Sequence, residues 1–159
     1  MGRRALGKID SSLELAEHLL VWEDLPQTWS QQAIFECQRP LEIEVGTGKG
    51  LFLSAAAAAT PDRNFLGIEI AARYARFAAA KLAKRDLLNA RVVHADARRL
   101  FIEYLPDDAL AAVHVYFPDP WWKKRHRKRR VMNSELITEI ARTLSSGSRL
   151  HFWTDVEEY

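Results

Sequence analysis

From position 41 onward, short apolar and β-branched runs alternate with longer runs in which apolar residues recur every three or four positions. Leu41 to Gly46, Asn64 to Ile70, Ala90 to Asp96, Ala109 to Phe117 and Arg149 to Asp155 read as strands. Gly50 to Thr60, Ala71 to Leu87 and Met132 to Leu144 read as helices, the last capped by Asn133 or Ser134. Strands that are apolar almost throughout are buried on both faces, so the alternation predicts an α/β fold: a parallel sheet with helices on both sides. The first forty residues read differently, as helices over Ser12 to Trp22 and about Gln27 to Glu36 laid against the sheet. The last strand falls just before Tyr159. An open sheet ending there has an unpaired edge, so a C-terminally truncated sequence is expected.

A chain of 159 residues, 48% hydrophobic and 28% charged, fits a single globular domain over 1–159, with a helical N-terminal segment (1–40) and a core (41–159). The longest weakly polar run, Leu51 to Ala59, is far shorter than the roughly 20 apolar residues of a membrane span, and no signal-peptide core opens the sequence. A cytoplasmic protein without membrane contact is expected. The single Cys37 and five scattered histidines argue against a disulfide, a zinc site or any other metal centre. The charge is unevenly placed. Seven Lys or Arg residues and one His fill Lys123 to Arg130, and without those seven the formal charge of +2 becomes −5. A mildly acidic body with one concentrated basic segment points to an anionic partner, nucleic acid or a membrane surface.

Glu44-Val-Gly46-Thr-Gly48-Lys-Gly50 lies where the first of these strands hands over to a helix. Glycines at that point let the backbone turn sharply and approach a nucleotide-like ligand. The spacing is G-x-G-x-G, whereas dinucleotide sites use G-x-G-x-x-G, and Leu51 stands where that third glycine belongs. An acidic residue two positions ahead of Gly46 disfavours a pyrophosphate and favours a ligand with positive charge. S-adenosylmethionine (SAM), with its sulfonium and amino groups, meets that requirement. Glu69, 23 residues after Gly46, ends the next strand, where a carboxylate can accept from both ribose hydroxyls. Asp96 ends the third, placed to meet the adenine amino group or hold the neighbouring loop. Any one of the three carboxylates alone is as readily a helix cap or a solvated turn residue. Together with the glycines they mark a cofactor edge.

Tyr116-Phe-Pro-Asp-Pro-Trp121-Trp122 follows the fourth strand directly. The prolines flanking Asp119 restrict the backbone and hold its carboxylate at the strand end. Trp121 and Trp122 are candidates for stacking on an unpaired base, although packing accounts equally well for one of them. The basic run begins beside this turn, so its Lys and Arg side chains would neutralise phosphates next to the reacting group. His126 reads as a further phosphate donor, since nothing orients it as a base. Asp155 closes the fifth strand on the same edge, within reach of a substrate base.

IEVGTGKG, LGIE, ADA, YFPDPWWKKRHRKRR and HFWTD, in this order and spacing over residues 38–159, are similar to the motifs of the bacterial tRNA (guanine-N7-)-methyltransferases, which modify the variable-loop guanine at position 46 of tRNA. The resemblance implies a Rossmann-like class I SAM-dependent methyltransferase fold, SAM as cofactor and tRNA as partner. It implies cofactor contacts from Glu44, Gly46, Gly48, Glu69 and Asp96, with Asp119 as the active-site acid that also touches SAM. It further implies substrate contacts from Lys123 and Asp155, and RNA contacts from Arg125, His126, Arg127, Lys128, Arg129 and Arg130. No feature points to an obligate protein partner, and a monomer is expected. Three other classes share parts of the pattern. An amino-group nucleic-acid methyltransferase would use a related proline turn at the same strand end. A non-catalytic SAM- or RNA-binding module would bind without turnover. A nicotinamide oxidoreductase is disfavoured by the glycine spacing and by Glu44.

Overall fold

Along Leu41–Val45, Leu41, Ile43 and Val45 alternate with Glu42 and Glu44, and the same period of two sorts every strand into two faces. The computed structural model describes residues 5–121, 125 and 130–157. Its strands are Leu19–Val21 (β1), Leu41–Val45 (β2), Asn64–Glu69 (β3), Ala90–His94 (β4), Leu110–Tyr116 (β5) and Leu144–Trp153 (β6). They form one sheet in the order β1-β4-β3-β2-β5-β6, with every neighbouring pair parallel. The chain winds outward from β2 through β3 to β4, then returns past β2 to β5 and β6. The direction therefore reverses between β2 and β5, where ligands bind in open parallel sheets.

Helices Gln31–Phe35 (α1), Ala97–Glu103 (α4) and Ser134–Thr143 (α5) cover one face, packing Ile34, Phe35, Leu100, Phe101, Leu136 and Ile140 on Ile43, Val45, Leu66, Ile68, Val113 and Val115. Full burial of each such side chain contributes roughly 1.5–3 kcal/mol. Helices Leu51–Ala59 (α2) and Ala72–Lys84 (α3) cover the other face. There Leu53, Ala57, Ala75, Ala78, Ala79 and Leu82 pack on Phe65, Ala90 and Val92. Two glycines let α2 sit close to α3 and to the sheet: a Cβ on Gly50, the N-cap of α2, would lie 2.9 Å from the Ala78 Cβ of α3, and one on Gly67 of β3 would lie 2.7 Å from Leu53 Cδ2 of α2. Among the described residues, no helix is long and apolar enough to cross a membrane.

The core elements fall where the sequence pattern puts them, and Asn133 caps α5 by accepting from Leu136 N at 3.0 Å. The N-terminal segment departs from expectation. Ser12 to Trp22 forms no α-helix; a turn with His18 N and Leu19 N on Leu15 O leads into β1, which lies beside β4. The exposed edge of β4 offers backbone partners that a short isolated helix would lack, and β1 packs Leu19 and Leu20 on opposite faces. The second expected helix is shorter, running from the Ser30 cap to Glu36, where the backbone turns left-handed. Helix α4 was not anticipated, and β6 begins at Leu144, before the expected Arg149.

Candidate active site

A cleft of about 860 Å³ opens at the carboxyl ends of the strands, at the reversal between β2 and β5. One wall is the glycine turn. Gly46 N and Thr47 N both donate to Ile68 O, at 2.8 and 3.0 Å, which pins the end of β2 to β3. Gly46, Gly48 and Gly50 have φ of 74°, 54° and 66°, in the region that favours glycine. A Cβ on Gly46 would meet nothing within 4 Å, so its surroundings are open, whereas Gly50 is needed for contact with α3.

Glu44 closes the inner end of the turn. It is 5% exposed and accepts from Thr47 Oγ1. Burial pushes its pKa up to about 8, and the nearby Glu69 adds to the shift, while hydrogen bonds from Thr47 and the Leu53 backbone oppose it. A positively charged ligand group would restore the ionised form. Glu69 accepts from Gly48 N through Oε2 (2.8 Å) and from Ala71 N through Oε1 (2.9 Å), so it orients the turn while each oxygen retains a lone pair. Asp96 is the N-cap of α4, with Oδ1 accepting from Arg98 N at 2.9 Å. The cap reading and the cleft reading of Asp96 are thus compatible, because it also lines the cleft.

The remaining lining mixes apolar and aromatic groups. Leu51 and Ile70 are each 68% exposed and Phe117 is 64% exposed, an unusual cost for large apolar side chains unless a ligand covers them. Tyr74, Phe52 and Tyr116 extend this surface. Trp121, the base-stacking candidate, lines the cleft as well, and it, Tyr116 and Phe117 are marked in the sequence by the proline turn; Leu51 is marked only by its place beside the glycine turn, and Ile70 and Tyr74 carry no local motif.

Asp119 lines the same cleft, in the turn after β5. Phe117 and Trp121, at φ of 48° and 43°, bracket this turn in the left-handed region, which costs roughly 1–2 kcal/mol for each non-glycine residue. Phe117 N donates to Trp153 O at 2.8 Å and anchors the turn to β6. Arg130 also lines the cleft, and its Nε donates to Pro120 O at 3.0 Å, bracing the Asp119 turn. Arg125 is exposed and lies outside the cleft lining, as does the exposed Asp155 just beyond β6. Trp122, Lys123, His126, Arg127, Lys128 and Arg129 lie outside the described residues. A smaller depression of about 310 Å³ on the N-terminal segment, lined by Leu13 to Ala16, Leu19 and Arg76, is separate from the glycine turn and its carboxylates.

The residues present fit SAM: the lining supplies buried and half-buried carboxylates of the kind its amino and hydroxyl groups require, apolar side chains suited to adenine, and open space over Gly46 for a close ligand. Sheet order, glycine turn and acidic strand ends together define the Rossmann-like class I SAM-dependent methyltransferase fold. A family described as "Putative methyltransferase" matches residues 38–159. A tRNA (guanine-N(7)-)-methyltransferase of Rhodopirellula baltica is 51% identical over 100% of this chain and 60% of its own length. One from Chromobacterium violaceum is 37% identical over 84% of this chain and 59% of its own length. A SAM-dependent methyltransferase from Aquifex aeolicus shares the fold at a TM-score of 0.55 and 19% identity, covering 70% of this chain and 54% of that one. The chain belongs to the methyltransferase family whose model it matches; it is similar to the tRNA (guanine-N(7)-)-methyltransferases, as its motifs implied, and spans about 60% of the length of these curated relatives.

Proposed function

We propose that this chain carries the cofactor-binding and catalytic core of a cytoplasmic, monomeric enzyme that methylates N7 of a guanine in tRNA, at position 46 of the variable loop. The observation that supports it best is the placement of Asp119 in the wall of the cleft that also holds Glu44, Glu69, Asp96 and Arg130. Glu44 would face the amino group of the cofactor, Glu69 the ribose hydroxyls, and Asp96 the adenine amino group or the loop around it. Gly46 and Gly48 admit it closely.

When bound, SAM supplies an electrophilic methyl group on a sulfonium. Guanine N7 has an in-plane lone pair and no proton, so in-line attack needs no strong base from the protein. The chain's contribution is therefore positioning and electrostatics. Asp119, helped by Asp155, accepts hydrogen bonds from guanine N1–H and the N2 amino group and stabilises the positive charge gained by the ring. Trp121 stacks on the base. Lys123 contacts the substrate, and Arg125 to Arg129 neutralise backbone phosphates. Arg130 serves the same run while holding Pro120.

The test is transfer of labelled methyl from SAM to unmodified tRNA, with the R. baltica relative run in parallel and the modified nucleoside identified by mass spectrometry. N7-methylguanosine at position 46 is the expected product. A different methylated nucleoside would refute the guanine-N7 assignment, and SAM binding without transfer to any RNA would favour a binding module.

A further inference from the structure

The face of the sheet beneath α2 is apolar at β3 and β4 but polar at β2, β5 and β6. Glu42, His114, Tyr116 and His151 all lie on it, and the sheet register places His114 opposite His151. These groups form a continuous chain. Arg63 Nη1 donates to Glu42 Oε1 at 2.8 Å, Glu42 Oε2 lies 2.7 Å from His114 Nε2, and His114 Nδ1 lies 2.9 Å from the Tyr116 hydroxyl. His151 stacks on His114 at 4.9 Å and 7°, and Phe52 of α2 packs on both His114 and Tyr116. Charged and imidazole groups are costly to bury, and nothing in the fold of the sheet requires them. At the far end of the chain Tyr116 is a wall of the cleft, within electrostatic reach of Glu44.

The direction of the hydrogen bonds follows from donor inventory. Ionised Glu42 only accepts, so His114 Nε2 carries the hydrogen; in the neutral imidazole Nδ1 then accepts, and the Tyr116 O–H donates to it. With its hydrogen committed, the phenol oxygen has only acceptor lone pairs left to offer a ligand. A ligand group that satisfies such an oxygen beside a carboxyl must bring N–H donors and positive charge. A sulfonium has no such hydrogen; an ammonium has three.

We propose that Tyr116, its hydroxyl oriented by the Glu42–His114 pair, is an acceptor for the ammonium group of the cofactor's methionine portion, and that Glu42 and His114 are positioning residues for it. The assignment rests on the SAM reading above and deepens it. Arg63 adds to the orientation by occupying the second oxygen of Glu42, which fixes the carboxylate that fixes the imidazole.

The test is calorimetric titration of the 159-residue chain with SAM, S-adenosylhomocysteine and 5′-methylthioadenosine. The second keeps the ammonium without the sulfonium, and the third lacks the amino-acid portion altogether. Tyr116→Phe keeps the ring on Phe52 and is expected to weaken SAM and S-adenosylhomocysteine alike, by roughly tenfold to a hundredfold, while leaving 5′-methylthioadenosine unchanged. Glu42→Gln gives a second readout. Its amide oxygen accepts from Arg63 and its NH2 faces His114 Nε2, so Nδ1 now carries the hydrogen and Tyr116 turns its own toward the cleft. The same ligand pattern is expected although Tyr116 is intact. Equal losses for all three ligands, a loss confined to SAM, or unchanged binding in Tyr116→Phe would each overturn the assignment. If the parent chain bound neither SAM nor 5′-methylthioadenosine, the cofactor reading itself would fall.

Discussion

Replacing Glu44 by Gln keeps the shape of the side chain and an acceptor for Thr47 while removing its ionisation. The carboxyl is 5% exposed, and its pKa is pushed up from 4.5 to about 8. An unfolded chain releases this proton near the ordinary value; the folded chain keeps it until about 8. The folded state therefore binds more protons across that interval, and stability falls as pH rises, by about 1.4 kcal/mol per pH unit, levelling off above about 8. At pH 7 the accumulated cost is roughly 3 kcal/mol, large beside the usual 5–15 kcal/mol of a folded domain. Urea unfolding of parent and Glu44→Gln from pH 5 to 9 isolates this contribution, since groups common to both proteins, such as the low-pKa Glu42, cancel in the difference. The variant should gain on the parent steadily up to about pH 8 and hold its advantage above. A difference independent of pH would refute the reasoning, because it would mean that Glu44 is already ionised in the fold. A cation bound beside Glu44 reverses the penalty. SAM binding to the parent below pH 8 should thus release a proton that Glu44→Gln does not, which calorimetry in two buffers of different ionisation enthalpy reads directly.

Asp119→Ala should lower the methylation rate far more than it weakens SAM binding; equal losses would show that Asp119 does not act mainly on the transition state. Neutralising Arg127, Lys128 and Arg129 together should weaken tRNA binding and flatten its dependence on salt, because fewer counterions are released, whereas an unchanged slope in filter-binding titrations would place the RNA elsewhere. Gly50→Ala adds a Cβ at φ 66° and 2.9 Å from the Ala78 Cβ, so urea unfolding should show a loss of roughly 2–4 kcal/mol; a neutral substitution would mean that α2 shifts freely over α3.

The strands of the core were legible because parallel strands buried on both faces must be apolar along their length, and β2 to β5 lie within a residue or two of the runs that announce them. The glycine turn and the Asp119 turn were legible because each is written in consecutive residues. Elements that depend on a distant partner were not. Leu19–Val21 has too few residues to show a period, and becomes a strand only because β4 presents an open edge. Helix α4 has only seven residues, too few to show a helical period, and the Asp96 that caps it is as readily a cofactor contact. The same limit applies to the site. Ile70 and Tyr74 enter the cleft through the fold alone. The polar stripe did leave a signal: Glu42 and Glu44 on a strand that should be apolar on both faces, matched by His114 and Tyr116 on its neighbour. Alternate charged positions on a central parallel strand are expensive enough to require partners, and pairing the two strands' exceptions would have found the chain.

Phe117 and Trp121 hold left-handed backbone on either side of Asp119, and glycine or asparagine would hold it more cheaply. A library of variants sorted by heat resistance alone should therefore enrich those replacements, and each would loosen the aim of the carboxylate it borders. Stability and turnover select in opposite directions at these two positions, so a thermostable version of this protein is better sought in its helices, with the turn kept as it stands.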